Sequence, residues 1–236
     1  MGGAPGEIPG KLCLHIIGIS GIILANDCVV IAISGILLGG KVMVVSTEYL
    51  LKERQDLQEN YGNEAFDVDE WLKNRRKMEE IVDNCKFETP EEVANHFIAY
   101  TAVIWDYKMV GKIHDCYHDQ IIVHREGGND IVTCESVIRD TLMLQAAFSD
   151  LRIVFYNIFC EKYEGKGGGF RFGQAVYFAG TNDGYSKYGP PTGKQLTQEN
   201  CLGLCECLVQ EIDGRWRIAE EWTMRSSDCF EGVMKM

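Results

Sequence analysis

The second half of the chain alternates long segments of branched and aromatic residues with short turns, and this pattern limits the possible folds more than any other feature. Strand-like composition covers residues 151–161, 170–179, 196–212 with an interruption near Gly203, and 215–224. The turns between them are rich in glycine and proline, above all GTNDGYSKYGPPTGKQLT at 180–197. Long segments joined in this way predict a sheet of antiparallel strands.

Helical patterns come before these strands. Apolar periodicity and helix-start residues predict helices over residues 47–62, 67–82, 89–113 and 134–147. The clearest start is Thr89-Pro90-Glu91-Glu92, in which Thr89 can cap the helix and Glu92 lies three residues later. Helices followed by a run of strands predict the α+β class.

Residues 1–46 are more apolar than the rest of the chain. Two apolar runs, 12–25 and 28–40, are separated by Asn26-Asp27, and each run is too short to span a bilayer. Three interpretations stay open: a hydrophobic hairpin packed on the protein or a partner chain, a membrane-associated anchor, or an extension upstream of Met43. We favour the hairpin and the extension over the anchor.

The charge of the chain bears on its partners. The formal net charge is −12 and the pI is about 4.9, and the sequence has no basic patch interleaved with aromatic residues. Such a chain has no electrostatic means of attracting a polyanion. Nucleic acid is therefore excluded as a predicted partner.

The ten cysteines are irregularly spaced, and many lie in apolar runs, as Cys134, Cys160, Cys201, Cys205 and Cys207 do. This distribution predicts reduced and mostly buried thiols in a cytoplasmic protein. The last three have odd numbers, so on a strand they would share one face. Because neither C-x2-C spacing nor clustered histidines accompany them, we predict a packed strand face there and no metal.

Four motifs resemble those of one family. They are HFIAYTAVIWDYKMVGKIHDCYHDQIIVHRE (96–126), FSDL (148–151), G-T-x-x-G…G-P-P-T-G-K (180–194) and D-G-x-W-x-I-x-E-E-W (213–222). Together they resemble the SnoaL-like polyketide cyclases, a family of the nuclear transport factor two-like superfamily. The resemblance covers roughly residues 92–226, more than half of the chain.

The resemblance implies a cone-shaped α+β barrel, in which a curved antiparallel sheet wraps around helices and encloses a deep apolar pocket. It divides the chain into an apolar N-terminal extension, a helical lead-in, the cone domain and a tail, at residues 1–46, 47–88, 89–228 and 229–236. It places residues 180–194 at the rim of the cone, where we predict that they mainly shape the sheet. It also implies a homodimer formed through the outer face of the sheet.

The resemblance further implies a type of chemistry. Enzymes of this family use a carboxylate or a histidine in the cone as general acid and base, to remove a proton next to a carbonyl group before a polyketide ring closes. No metal or organic cofactor is implied. An apolar pocket suits this reaction, because desolvation raises the pKa of a carboxyl group towards neutrality.

Glu220 and His124 are the candidate catalytic residues. Related sequences often have an aspartate on the closing strand where this chain has Ser226. Strand alternation places Glu220, Trp222 and Ser226 on one face. If Trp222 lines the cone, Glu220 is the carboxylate in the pocket; a paired glutamate at the rim is the alternative. For His124, a structural histidine with one hydrogen bond is the alternative.

Further candidates line the pocket or its rim. Tyr100, Trp105 and Tyr107 lie on the long helix and are candidate substrate-binding residues, with aromatic core packing as the alternative. Asp183 lies in the glycine-rich turn, where an aspartate that forms the turn is the alternative.

Two functional hypotheses follow from these residues. The favoured one is a cofactor-independent cyclase, isomerase or dehydratase that acts on a lipophilic carbonyl compound. The alternative is a non-catalytic protein of the same fold that binds a lipophilic ligand or serves in assembly. Both are compatible with a small lipophilic ligand and a homodimer. Membrane contact is disfavoured, and only residues 1–46 leave it open.

Overall fold

A computed structural model describes residues 19–25, 28–33, 43–44, 67–225 and 229–236 of the chain. It divides into two units, residues 1–41 and 42–236. In the first unit, strands β1 (Ile19–Ala25) and β2 (Cys28–Ile33), which belong to the two apolar runs, pair in antiparallel fashion. The predicted helix over 47–62 lies outside the described residues, as does Ser226.

The second unit has helices on one side of a long sheet. Its helices are α1 (Val68–Asn84), α2 (Pro90–Thr101), α3 (Ile113–Cys116), α4 (Cys134–Ala147) and α5 (Cys229–Met234). Its strands are β3 (Met43–Val44), β4 (Tyr117–Arg125), β5 (Ile131–Val132), β6 (Arg152–Lys162), β7 (Phe170–Thr181), β8 (Gln195–Leu196), β9 (Leu202–Ile212) and β10 (Arg215–Arg225). The α+β class is confirmed.

Two helix starts follow the sequence prediction. The Asp67 side chain accepts hydrogen bonds from the backbone N–H groups of Asp69 and Glu70 at the start of α1. At α2, the Thr89 hydroxyl accepts from the Glu92 N–H at 3.2 Å, and the Glu92 carboxylate accepts from the Thr89 N–H at 3.0 Å. This reciprocal pair satisfies N–H groups that the first turn leaves without helical partners.

The long helix predicted after Thr89 ends earlier than the apolar periodicity suggests. α2 stops at Thr101 and continues as one π-helical turn, Ala102–Asp106, in which the Tyr107 N–H donates to the Ala102 carbonyl at 2.9 Å. The wider turn breaks the 3.6-residue period of the side chains. Trp105 therefore projects from a position that a continuous α-helix would not give it.

The sheet is mixed, which corrects the prediction that it is antiparallel. The strand order is β3-β6-β7-β9-β10-β4-β5, with β8 paired to β7. All these pairs are antiparallel except β4 with β10, which is parallel. Side chains alternate between the two faces in parallel and antiparallel strands alike, so the sequence carries no signal for a parallel pair. The long connection between β4 and β10 permits parallel pairing.

A bulge in β10 exchanges the two faces of that strand. Ile218 pairs with Val209 of β9 while Glu220 pairs with Leu208, so Ala219 is an extra residue in the ladder. Before the bulge, the even-numbered Ile218 is buried; after it, the odd-numbered Glu221 is buried instead. A single additional residue inverts the alternation for the remainder of a strand.

The core lies between the sheet and helices α2 and α4. Phe97 of α2 stacks on Phe172 of β7, with ring centroids 4.7 Å apart, and both rings are almost completely buried. Phe148, directly after α4, is fully buried and packs against Phe230 of α5. The helices thereby cover one face of the sheet and leave a cavity at its middle.

His96 is the buried histidine of α2, and it makes the free energy of unfolding depend on pH. Burial lowers its pKa from 6.5 to about 4. A histidine with a depressed pKa stabilises the fold only while it stays neutral, so stability is lost as pH falls from 6.5 towards 4. We expect this to remove about 3 kcal/mol of unfolding free energy over that interval. Urea unfolding at about pH 7 and pH 5 covers the upper part of that interval and should show a loss of about 2 kcal/mol.

The matched variants for this prediction are His96→Phe and His114→Gln. Phenylalanine keeps the contact with Phe87, whose ring centroid lies 4.8 Å from the imidazole, and removes the titrating group. We expect His96→Phe to lose much of the acid sensitivity and the variant at the exposed His114 to retain it. Equal sensitivity in the wild type and His96→Phe would contradict the assignment.

The glycine-rich segment at 180–197 folds back between β7 and β9, as predicted. Asn182 is completely buried at its centre. Its side-chain Nδ2 donates to the carbonyls of Ala147 at 2.8 Å and Gly184 at 3.1 Å, and its Oδ1 accepts from the Thr192 N–H at 2.9 Å. One amide therefore joins the end of α4 to both halves of the loop.

The glycines of this segment have two uses, a positive φ angle and a close approach of the backbone. Gly189 and Gly193 have φ angles of +125° and +70°, which favour glycine. At Gly184 a Cβ atom would overlap the carbonyl oxygen of Ala146. The segment therefore serves to close the backbone tightly against α4.

One of the cysteine predictions was wrong. Cys201 forms a disulfide with Cys229 and so joins the start of β9 to α5. The two residues are 28 positions apart in the chain, and their spacing gave no sign of the pair. Cys134, Cys160, Cys205 and Cys207 are free thiols, as predicted.

No helix among the described residues has the length and apolarity that crossing a bilayer requires.

Candidate functional site

A cavity of about 120 Å³ lies between the sheet and the helices α2 and α4. Its lining is mostly apolar and aromatic, with contributions from Phe97, Tyr100, Trp105, Phe172, Val176 and Phe178. The polar groups that reach it include Cys205, Cys207, Glu221 and Thr223 from β9 and β10. An apolar cavity with a few convergent polar groups is the usual form of a small-molecule site.

Glu221 is the buried carboxylate of this cavity, with 9% of its surface exposed. The Tyr117 hydroxyl donates to Glu221 Oε2 at 2.6 Å, and the Thr223 hydroxyl donates to Oε1 at 2.7 Å. The Cys205 thiol also approaches Oε1, at 3.4 Å. These contacts hold the carboxylate in one orientation, with Oε1 on the side of the two cysteines.

Two tyrosines surround the carboxylate. Burial, together with the negative charge of Glu221, raises the pKa of Tyr117 well above its ordinary range, so its hydroxyl stays a donor. Burial also raises the pKa of Tyr100, as do Cys116 and Glu221. Among the described residues, the buried Tyr100 hydroxyl has no hydrogen-bond partner. It is therefore a donor available to a ligand in the cavity.

Cys205 and Cys207 stand side by side on β9, on the shared face that their numbering predicts. Their Sγ atoms are 3.7 Å apart. The hydrogen bond with Cys205 and burial together raise the pKa of Cys207 well above its ordinary range. The cavity thus brings two thiols and one carboxylate together from adjacent strands.

A second cavity, of about 320 Å³, adjoins the first, and the two share the lining residues Arg125, Asp140, Leu144 and Arg225. Arg125 pairs with Asp140 through a contact of 2.7 Å between Nη2 and Oδ2. The Arg225 guanidinium lies 5.2 Å from the centroid of the Phe230 ring. This second cavity therefore connects the interior to the loops around α5 through a charged boundary.

The structure brings some of the predicted pocket residues together and separates others. Tyr100 and Trp105, two of the candidate substrate-binding residues, line the cavity. Tyr107 is buried against Trp71, with ring centroids 5.2 Å apart, and is not part of the cavity lining. Asp183 lies in the loop, where it accepts hydrogen bonds from the backbone and the side chain of Ser149. Burial alone would raise its pKa, but the Ser149 contacts lower it.

Glu220, His124 and Trp222 lie on the outer face of the sheet, which corrects their expected placement in the cone. Trp222 is 37% exposed, and His124 stacks on it with ring centroids 5.6 Å apart. His124 Nε2 lies 2.8 Å from Glu220 Oε1, and Nδ1 lies 3.4 Å from Asp130. The bulge at Ala219 is the physical reason, because alternation counted from the buried Ile218 assigns Glu220 to the wrong face.

His124 is the titrating group of this outer cluster. The hydrogen bond with Glu220 raises its pKa above its ordinary value of 6.5, and Asp130 adds to the effect. A raised histidine pKa stabilises the fold fully below about pH 6.5, and this contribution is lost as pH rises through the higher folded-state value.

We therefore expect Glu220→Gln to lower the His124 pKa towards 6.5, as followed by NMR of the imidazole. His124→Gln should lower the thermal midpoint more at about pH 6 than at about pH 9. Asp69→Asn, at the start of α1, is the matched charge control for both measurements. An imidazole titration that Glu220→Gln leaves unchanged would contradict the pairing.

Sequence reasoning missed Glu221 and Arg225 as site residues. Both follow the bulge and line the cavity together with Thr223. The sequence does contain a signal, the two adjacent glutamates Glu220 and Glu221, which must lie on opposite faces of the strand. Alternation alone does not reveal which one is buried.

No protein-family model and no curated protein matches this chain. Similar solved structures include a protein of a Jannaschia species assigned to the SnoaL-like polyketide cyclases, with 13% identity and a TM-score of 0.41 over 53% of this chain and 77% of that one. A protein of Acidithiobacillus ferrooxidans assigned to the polyketide cyclases has 14% identity and a TM-score of 0.44, over 63% and 96% of the two chains. The protein Aln2 of a Streptomyces species has 15% identity and a TM-score of 0.45, over 62% and 99%. Two of these three solved structures, to which this chain is similar at 13% and 14% identity, are assigned to the polyketide cyclases.

Proposed function

We propose that the protein is an enzyme that removes a proton next to the carbonyl group of a small lipophilic compound, with Glu221 as the general base. The observation that carries this proposal is one buried carboxylate in an apolar cavity, held by Tyr117 and Thr223. Cyclisation, isomerisation and dehydration of such compounds share this proton transfer as a step.

The neighbouring groups supply the other requirements of the reaction. Proton removal turns the carbonyl oxygen into an enolate oxygen, which needs a hydrogen-bond donor that is already in position. The Tyr100 hydroxyl is such a donor: it is buried, it lines the cavity, and no described residue accepts its hydrogen bond. The Tyr117 hydroxyl bond to Oε2 leaves Oε1 as the oxygen that faces the remaining cavity groups.

The lining indicates the kind of substrate. Phe97, Trp105, Phe172 and Phe178 offer flat apolar surfaces that suit an aromatic or polyene skeleton. The adjoining cavity provides room for a longer molecule, and its charged boundary suits a polar end group. A ketone or a β-dicarbonyl compound on an apolar skeleton combines these features.

Exchange of solvent deuterium tests the proposal without knowledge of the final product. The purified protein is incubated in deuterium oxide with a panel of apolar ketones and β-dicarbonyl compounds, and incorporation at the α-carbon is followed by NMR. Enzyme-dependent exchange that saturates with substrate supports the proposal. Compounds that bind without exchange would contradict it and support the ligand-binding alternative.

A small molecule that co-purifies with the protein would guide the choice of compounds for the exchange assay. Native mass spectrometry followed by denaturation identifies any small molecule that occupies the cavity. A released carbonyl compound would enter the exchange assay first. The same spectra report the oligomeric state and so test the expected homodimer.

We also propose a homodimer, in which two copies meet through the outer face of the sheet. Trp222 and Met224 are 37% and 60% exposed on β10, and Ile122 of the adjacent β4 is also exposed. Apolar side chains that share a sheet face favour contact with another apolar surface. A dimer mass that the variant Trp222→Glu converts to a monomer mass would support this contact.

A further inference from the structure

We propose that Cys205, Cys207 and Glu221 form a binding site for zinc. Their three ligand atoms lie within 4.8 Å of one another in the cavity wall. They come from two adjacent antiparallel strands, in which Cys207 pairs directly with Glu221 and Cys205 with Thr223. The sheet therefore fixes the three side chains relative to one another before any ion arrives.

The spacing of the ligand atoms fits a tetrahedral zinc ion. Two sulfur ligands, each at about 2.3 Å from zinc, are about 3.8 Å apart in a tetrahedron, and a sulfur and a carboxylate oxygen are about 3.6 Å apart. The distance between the two Sγ atoms is 3.7 Å, and Cys205 Sγ lies 3.4 Å from Glu221 Oε1. The third pair, Cys207 Sγ and the Glu221 carboxylate, lies within 4.8 Å, so binding requires that pair to close by up to about 1.2 Å.

The donor set selects the metal. Two thiolates and one carboxylate suit zinc, whereas magnesium and calcium prefer sites made of oxygen alone. Three protein ligands leave the fourth position of a tetrahedron for water or a ligand oxygen. The cavity lies on that side of the cluster, because all three residues line it.

The surroundings supply outer-shell hydrogen bonds of the kind that metal sites use. The Tyr117 hydroxyl holds Glu221 Oε2 at 2.6 Å and so presents Oε1 to the cysteines. Two further buried polar atoms that line the cavity, Tyr100 Oη and Gln174 Oε1, have no hydrogen-bond partner among the described residues. Both are available to a water molecule bound to the ion. Such outer-shell contacts orient ligands and tune metal affinity.

Zinc binding goes beyond the proposed function and does not depend on it. The two are linked through Glu221 Oε1, which cannot be a free base and a zinc ligand at the same time. The proposal therefore also assigns zinc the role of an inhibitor of the proton transfer proposed above, and that part rests on the proposed function. Direct metal binding is measured without a substrate, so the two proposals can fail separately.

Cobalt is the probe, because it takes zinc sites and reports on its ligands by absorption. The full-length protein is purified under argon without chelator or added thiol, so that the Cys201–Cys229 disulfide stays intact. We expect one cobalt ion per chain, with a thiolate-to-cobalt charge-transfer band in the near ultraviolet. Competition with zinc should remove the band and give the zinc affinity.

Variants identify the ligands. Cys205→Ser and Cys207→Ser should each lower zinc affinity by more than roughly a hundredfold, because losing an outer-shell partner alone costs about 10- to 100-fold. Tyr117→Phe should weaken binding by roughly tenfold for that outer-shell reason. Cys85→Ser, at a free thiol beyond the end of α1, should leave affinity unchanged.

The cobalt spectra of the variants distinguish a zinc site from its absence. A charge-transfer band that is lost in Cys205→Ser and Cys207→Ser and kept in Cys85→Ser supports the site. Cobalt that binds without the band, or a band that survives both cysteine variants, overturns it. If a serine variant fails to fold, as judged by circular dichroism, Glu221→Gln and Tyr117→Phe carry the same test through the change in affinity.

Discussion

Replacing Glu221 with glutamine is expected to slow α-proton exchange by about 10²- to 10⁴-fold, the usual contribution of a positioned acid–base group. Glutamine keeps the size of the side chain, and its carbonyl oxygen can accept from one of the two hydroxyls, Tyr117 or Thr223, which hold the native carboxylate at 2.6 and 2.7 Å, while its NH2 group can donate to the oxygen of the other. It cannot take up a proton at neutral pH. The fold should therefore persist while the proton transfer is lost.

Glu220→Gln is the matched control, one residue away and on the opposite face of the strand. Its carboxylate pairs with His124 at 2.8 Å, outside the cavity. We expect exchange rates within about twofold of the wild type, because no reacting atom is within its reach. Loss of exchange in Glu220→Gln with retention in Glu221→Gln would overturn the assignment and restore the pair that the sequence suggested.

Asn182→Ala is expected to cost about 3 to 5 kcal/mol of unfolding free energy. The change removes three hydrogen bonds at a completely buried position, to Ala147, Gly184 and Thr192. Each partner that is left buried without a replacement costs about 1 to 3 kcal/mol. Chemical denaturation measured through tryptophan fluorescence gives the difference.

Asn129→Ala is the control for that measurement. Asn129 is exposed, and its side chain donates a single hydrogen bond to the Glu126 carbonyl at 3.1 Å. We expect a loss of under about 1 kcal/mol there. If Asn182→Ala were no more destabilising than this control, the amide would not be what joins the loop to α4.

Much of the fold can be predicted from the sequence, because local chemistry determines it. Thr89 and Glu92 form the capping box that their spacing predicts. The α4 boundaries, 134–147, agree with the prediction, and β6, β7 and β10 agree to within two residues. Caps, periodicity and turn residues act over a few positions, and the sequence shows them directly.

The candidate site could be predicted only in part, because it depends on contacts between distant segments. Tyr100 and Trp105 are candidates because they lie on the long predicted helix, and both line the cavity. Glu221 meets Tyr117 across 104 positions of the chain, in a parallel pair of strands that no local pattern indicates. The carboxylate that we propose as the third zinc ligand was hidden for the same reason.

The extra residue in β10 has a consequence for how such a site can arise. Ala219 does not line the cavity, yet its exclusion from the ladder decides which of two neighbouring glutamates is inside the protein and which is in contact with solvent. Deletion of Ala219 would leave Glu220 and Glu221 opposite the same residues of β9 and keep Glu221 inside, whereas a strand in which Ala219 took its place in the ladder would turn Glu220 inwards. In descent, a relative without the bulge would have one residue fewer here, and an alignment that permits no gap at this position would equate residues that have opposite surroundings.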